Sequence, residues 1–105
     1  MNDERPSLES LWAAVEQACQ PQNAWRIERG RESVLAMPRP WVLENVSTVA
    51  EQALDLSDYW EYRRLLELLN LIDPRLLRPF LPPGLASPDP DVRDAAEDFD
   101  RTAAV

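Results

Sequence analysis

One leucine-rich segment, Asp58–Ile72, constrains the fold of this chain more than any other part of the sequence. At about 100° per residue, its apolar side chains share one broad arc of a helix. These side chains are Tyr62, Leu65, Leu66, Leu68, Leu69 and Ile72. The arc is wider than the apolar stripe of a typical surface helix. We therefore predict a central helix that the rest of the protein covers on most sides.

Both ends of this central helix carry boundary signals. Asp58 followed by Glu61 resembles a capping box, in which side chains pair with the free amides of the first turn. Asp73-Pro74 ends the helix, because the residue before a proline is pushed out of the α region. Pro74 is also well placed as the first residue of a following helix.

Three further stretches have the three- and four-residue apolar spacing of amphipathic helices. The first is Leu8–Cys19, with Ser7 and Ser10 competing as its N-cap. The second starts between Pro38 and Pro40 and runs to about Leu54, and the last opens with Asp89 as N-cap. The Leu56-Ser57 turn predicts that the second of these helices and the central helix are antiparallel neighbours.

Two regions have weaker patterns. Residues 24–37 fit a short β-hairpin about Gly30 as well as a broken helix, and we predict an irregular loop over 24–30 followed by a short helix near 31–37. In the stretch Leu76–Leu81, Pro79 should kink the helix or end it early. Pro82-Pro83-Gly84 is expected to form its exit.

Together these elements predict an all-α fold, a compact bundle of about five helices arranged as antiparallel hairpins. The 105 residues suit one domain that buries one modest core. We expect residues 1–6 and 101–105 to be frayed.

The charged composition excludes several functions. There is neither histidine nor lysine, so the usual catalytic base, the commonest zinc ligand and a Schiff-base amine are missing. Nineteen acidic residues against eleven arginines give a net charge of −8. This charge disfavours nucleic acid and anionic membrane surfaces and favours a basic protein partner.

The single cysteine and the N-terminal sequence bear on location. Cys19 lacks a partner for an internal disulfide and is expected to be a small buried hydrophobe. The first residues lack the pattern of a signal peptide, and no apolar run approaches the roughly 20 residues that span a bilayer. We expect a cytoplasmic protein, and the arginine-only usage suggests a bacterial, GC-rich source.

The segment Gly84–Phe99 resembles the turn and second helix of a HEAT repeat, through its Asp-Pro-Asp-Val-Arg-Asp-Ala-Ala run. The resemblance covers about one repeat, residues 74–100, whereas the preceding helix pair matches only as a helical hairpin. It implies that Val92, Ala95, Ala96 and Phe99 face the stack and that Arg93 lies near the turn. HEAT-like units are generally scaffolds that bind proteins, so the resemblance also implies a binding role.

The last helix carries a first candidate site. Asp91, Asp94 and Asp98 are spaced so that their carboxylates can form a ridge that meets an arginine-rich partner or holds a divalent cation. The alternative is structural, because acidic residues in a first turn favour the helix dipole and later ones often form a solvated face.

The central helix carries a second candidate site. Tyr59, Trp60, Arg63 and Arg64 lie largely away from the leucine arc and have the composition of an interface hot spot. The alternative is that another layer of the protein covers them and that Arg63 and Glu67 form an ordinary surface pair.

These observations favour a non-catalytic, acidic, α-helical interaction module without a cofactor, which neutralises or inhibits a basic partner as a toxin-immunity protein does. Glu61 and Glu67 lie about 120° apart on the helix and do not converge as a catalytic pair. The alternatives are a carboxylate-metal hydrolase that uses Asp91, Asp94 and Asp98, or a homodimer that pairs across the aromatic patch.

Overall fold

The computed structural model describes residues 6–103, and the side chains of residues 6–101. Over this range the chain is helical without a strand, and it contains six α-helices and one 3₁₀ helix. The elements in chain order are α1 (Leu8–Ala18), α2 (Ala24–Ala36), α3 (Arg39–Ala53), α4 (Tyr59–Ile72), the 3₁₀ helix Pro74–Phe80, α5 (Leu81–Leu85) and α6 (Pro90–Ala103). The predicted all-α compact fold is confirmed, with one more α-helix than the expected five.

Helix α4 is the centre of the core, as predicted. Its six arc residues are each at most 4% exposed. The Asp58 carboxylate accepts a hydrogen bond from the Glu61 amide at 3.0 Å. The Glu61 carboxylate accepts from the Asp55 amide at 3.3 Å instead of completing the capping box. The predicted start of the helix is therefore correct, and its cap also fixes the connection that precedes it.

Helix α1 begins where the sequence predicted. The Ser7 hydroxyl accepts a hydrogen bond from the Ser10 amide at 3.1 Å, so Ser7 is the N-cap. Cys19, at the other end, is 1% exposed. Burial raises the pKa of its thiol to about 12, which removes the thiolate that a reactive cysteine needs. Cys19 is a small buried hydrophobe, as predicted.

The prediction for residues 24–30 is wrong, because α2 is one continuous helix. The Asn23 side chain caps it by accepting a hydrogen bond from the Arg26 amide at 3.0 Å. Gly30, which suggested a break, is buried inside this helix. A Cβ atom there would overlap the Ala18 amide and lie 2.8 Å from the Ala14 carbonyl oxygen. Gly30 therefore allows the backbones of α1 and α2 to touch.

Helix α3 starts at Arg39, and its closest backbone neighbour is α1 rather than α4. The prediction that α3 and α4 form a tight hairpin is therefore wrong in its pairing. The connection between α3 and α4 consists of residues 54–58 and is longer than the predicted two-residue turn. Asp55 organises this connection by accepting hydrogen bonds from the Ser57 amide at 3.0 Å and the Ser57 hydroxyl at 2.6 Å.

The chain then turns at Asp73, which is 6% exposed and caps the 3₁₀ helix. Its carboxylate pairs with Arg75 at 2.7 Å and with Arg39 at 3.1 Å. The Arg39 guanidinium group ties the start of α3 to the end of α4, and the Arg75 guanidinium group holds the turn into the 3₁₀ helix. Pro79 lies inside the 3₁₀ helix, so the predicted disruption of a regular α-helix is confirmed.

The prediction that residues 82–84 form an exit is wrong, because they belong to α5. Gly84 lies so close to Tyr62 that a Cβ atom would overlap the phenol group. The Tyr62 hydroxyl donates a hydrogen bond to the Phe80 carbonyl at 2.8 Å, and burial raises its pKa to about 12. The close approach at Gly84 therefore lets α5 cover α4.

Helix α6 follows the expected N-cap, since the Asp89 carboxylate accepts from the Asp91 amide at 2.9 Å. Val92, Ala95 and Ala96 are buried as predicted, and Phe99 is partly buried. Arg93 donates to the Ser87 carbonyl at 2.8 Å, near the turn. The helix continues to Ala103, and the fraying expected at residues 101–103 stays a prediction. Residues 1–5 and 104–105 lie outside the described range.

None of the helices between residues 6 and 103 combines the length and the hydrophobicity that crossing a membrane requires.

Candidate interaction surfaces

The predicted aromatic patch on α4 is partly exposed. The rings of Tyr59 and Trp60 meet edge to face, with their centroids 5.0 Å apart. Trp60 is 40% exposed, whereas Tyr59 packs against the core. The Arg64 guanidinium carbon lies 5.2 Å from the centre of the Trp60 ring. Trp60 is therefore a partly exposed tryptophan whose ring is stacked with the Arg64 cation.

Arg64 also makes contacts that stabilise the fold. Its guanidinium group donates to the carbonyl oxygens of Gln20 and Pro21, at 3.3 and 3.2 Å. It also forms an ion pair with Glu67 at 3.0 Å. Since these carbonyls belong to the connection between α1 and α2, Arg64 fastens that connection to α4. A partner protein that bound Arg64 would therefore compete with these contacts inside the chain.

Arg63 joins the two candidate sites that the sequence presented separately. Its guanidinium group lies 3.4 Å from the Asp98 carboxylate on α6 and 3.6 Å from Glu67 on its own helix. It also lies 5.8 Å from the centre of the Phe99 ring. The predicted Arg63–Glu67 pair is confirmed, and Arg63 extends it to α6.

Glu67 is the carboxylate that these ion pairs share. Arg31, Arg63 and Arg64 all pair with it. The side chains of these three arginines are only 22–30% exposed. Charges that are partly withdrawn from water need such partners to offset the cost of desolvation. The arginines of the predicted patch therefore mainly hold α2, α4 and α6 together.

The carboxylates of α6 divide into two kinds. Asp98 pairs with Arg63 and with Arg101, at 3.4 and 2.8 Å. Asp91 and Asp94 are exposed to solvent. Within the described part of the chain, no three acidic or cysteine side chains are grouped closely enough to hold a metal ion. The three predicted aspartates therefore form an exposed ridge whose last member is tied to α4.

Trp25 is an exposed aromatic side chain that the sequence reasoning missed. It is 63% exposed on α2, and the Arg29 guanidinium carbon lies 5.0 Å from the centre of its ring. The Trp25–Arg29 pair was not predicted because a loop was expected there, and a four-residue spacing brings side chains together only on a helix. Asn23 was the available signal, since an N-cap there starts the helix at residue 24.

An open groove of about 670 Å³ runs between α2 and α4. Ile27 and Arg31 line it from α2, Asn70 and Leu71 line it from α4, and Phe99 closes one part of it from α6. The Arg31 Nε and the Asn70 Oδ1 are buried without a hydrogen-bond partner among the described residues. Because both atoms are covered, they belong to the packing beneath the groove and are not presented to a ligand.

Comparison with known proteins found no matching family model, no similar curated protein and no similar solved structure. The HEAT-like resemblance of residues 74–100 therefore rests on the local sequence pattern and stays a prediction.

Proposed function

We propose that this chain is a non-catalytic interaction module that binds a basic protein partner and neutralises or inhibits it. The observation that carries the proposal is the exposed ridge of Asp91 and Asp94 on α6, in a chain with a net charge of −8. Carboxylates in such a ridge attract cationic side chains, accelerate association and reject acidic competitors.

The chemistry of the other polar groups supports a binding role. The Cys19 thiol is buried and its pKa is raised, so it is a poor nucleophile. Glu67, the best-connected carboxylate of the candidate patch, is occupied by three arginines of the same chain. These groups stabilise the fold, whereas Asp91 and Asp94 are exposed.

Capture from a lysate of the native host at low and at high salt tests the proposal. We expect the protein to retain a partner of high isoelectric point at low salt and to release it at high salt, because salt screens exposed charges. The variant Asp91→Lys/Asp94→Lys should lose most of this capture. Both positions are exposed, so its helical circular dichroism should stay unchanged.

The matched control is Glu28→Lys/Glu32→Lys, which makes the same change in net charge at exposed positions of α2. Equal loss in both variants would mean that net charge alone drives capture. Capture of an acidic protein, or of none at either salt concentration, would contradict the proposed function.

A further inference from the structure

An apolar hollow of about 460 Å³ lies between the first half of α1 and the end of α3. Leu8, Glu9, Trp12 and Ala13 line it from α1, and Gln52 lines it from α3. Leu8 is 54% exposed, and Trp12 is only partly buried against the core. The hollow therefore presents apolar surface that the described part of this chain leaves uncovered.

The Glu9 carboxylate lines this hollow, and further carboxylates lie on the exposed faces of the same two helices. On α1, Glu9 and Glu16 are seven residues apart, so they lie on one face of the helix, with Ala13 between them. On α3, Glu44 and Glu51 are related in the same way, and Glu51 adjoins Gln52. All four carboxylates are exposed.

The two helices that line the hollow contain one arginine, Arg39 at the start of α3. Helix α1 contains none, and the chain from Pro40 to Tyr62 contains none. The arginines of the described chain lie on α2, at the first residue of α3, in the first half of α4, on the 3₁₀ helix and on α6. The carboxylates of α1 and α3 therefore have no arginine on their own helices apart from Arg39.

We propose that the hollow between α1 and α3 is the anchor site for a basic amphipathic helix of the partner protein. One apolar side chain of that helix sits between Leu8 and Trp12, and its lysines or arginines face the carboxylates of α1 and α3. The inference rests on the proposed function, because it takes the partner to be basic. It adds a second surface, separate from the α6 ridge, on which apolar contact supplies the specificity.

The combination of an apolar centre and an acidic border selects this occupant. A neutral apolar segment would fill the hollow but leave the surrounding carboxylates without counter-charges. A cationic segment without an apolar side chain would gain only screened contacts at the border. A helix with both features matches the apolar centre and the acidic border together, as helices docked in grooves do.

A peptide titration tests the inference on the full-length protein. The probe is a synthetic helical peptide with leucines on one face and lysines on the other, followed through the backbone amide signals by NMR. A companion peptide replaces each leucine by glutamine and keeps the charge. We expect the leucine peptide to shift signals of residues 8–13 and 51–53 and to bind at least about tenfold more tightly than its companion.

Ala13→Lys is the matching protein variant, because Ala13 is exposed and borders the hollow. It should weaken the leucine peptide at least about tenfold. Ala36→Lys, the same substitution at an exposed position of α2, should leave binding nearly unchanged.

The outcomes separate the two proposals. If both peptides bind equally and shift only signals of α6, the basic partner is supported and the anchor site is wrong. If Ala13→Lys and Ala36→Lys have equal effects, the anchor site is also wrong. If neither peptide binds even at low salt, the proposed function and this inference both fail.

Discussion

Two groups of acidic residues, on two sides of this molecule, differ in whether arginines pair with them. On the side formed by α2, α4 and α6, Glu67 and Asp98 are shared among arginines that come from all three helices. On the side formed by α1 and α3, four exposed glutamates face solvent without an arginine on α1 or on α3 after its first residue. The comparison teaches that the role of an acidic residue in a chain of net charge −8 depends on its neighbours. Carboxylates that arginines pair with stabilise the fold, whereas the glutamates of α1 and α3, like Asp91 and Asp94 on α6, are exposed to solvent.

The first way to sharpen the comparison is to measure what apolar packing contributes on α4. It carries the largest expected effect. Leu69→Ala should lower the free energy of unfolding by about 2–5 kcal/mol, because the fully buried side chain leaves a cavity. Leu71→Ala, two residues later on the same helix, should change it by less than about 0.5 kcal/mol, because Leu71 is 52% exposed. Urea unfolding followed by far-ultraviolet circular dichroism measures both values. A loss below about 1 kcal/mol for Leu69→Ala would mean that α4 is not the packed centre.

The second way is to remove one carboxylate from each side. Glu67→Gln keeps the shape of the side chain but removes the charge that three arginines share, and it should cost about 1–3 kcal/mol. Glu51→Gln on α3 should change the stability by less than about 0.5 kcal/mol, because Glu51 is exposed. The same urea measurement applies.

Equal effects of these two substitutions would break the comparison. A stabilising Glu67→Gln would show that desolvation of Glu67 costs more than its three ion pairs return, as replacement of buried ion pairs sometimes does.

The third way compares two aspartates with lowered pKa values and has the smallest expected effect. Hydrogen bonds from the Arg75 side chain and amide lower the pKa of Asp73 from 3.8 to about 2, with help from the charges of Arg75 and Arg39. Hydrogen bonds from the hydroxyl and amide of Ser57 lower the pKa of Asp55, on the connection after α3. Because the pKa of folded Asp73 lies below that of the unfolded chain, its carboxylate stabilises the fold above pH 3.8. This stabilisation is lost as the pH falls toward 2.

High salt should raise the pKa of Asp73 toward 3.8, because salt screens the two exposed guanidinium groups. The pKa of Asp55 should respond less, because its donors are neutral. Carboxyl NMR titrations at low and high salt measure both, and Asp73→Asn should flatten the acid limb of the stability curve. An equal salt response at the two aspartates would contradict the assigned causes.

Much of the fold could be predicted from the sequence because its signals are local. The period of the apolar residues predicted α1, α3, α4 and α6, and the caps at Ser7, Asp58 and Asp89 placed the starts of α1, α4 and α6. The error at α2 has a physical cause, since glycine in a helix usually weakens it. At Gly30 the close contact with α1 outweighs that intrinsic preference, and such a contact between helices leaves no mark in the local pattern.

The candidate sites were less predictable because their chemistry depends on distant pairs. The sequence placed Arg63 on the outer part of α4 and Asp98 on the last helix, but only the packing of α6 on α4 brings them together. The hollow near Leu8 and Gln52 likewise needs α1 and α3 to be neighbours. The sequence favoured α4 as the partner of α3, so this surface could not be predicted from it.

The contact at Gly30 limits how this chain can change over evolutionary time. Where helices meet through side chains, a larger residue on one can be balanced by a smaller residue on the other. Here the space is filled by backbone atoms of Ala14 and Ala18, which no exchange of side chains can make smaller. In any set of related chains, a residue other than glycine at this position would indicate that the first two helices have moved apart.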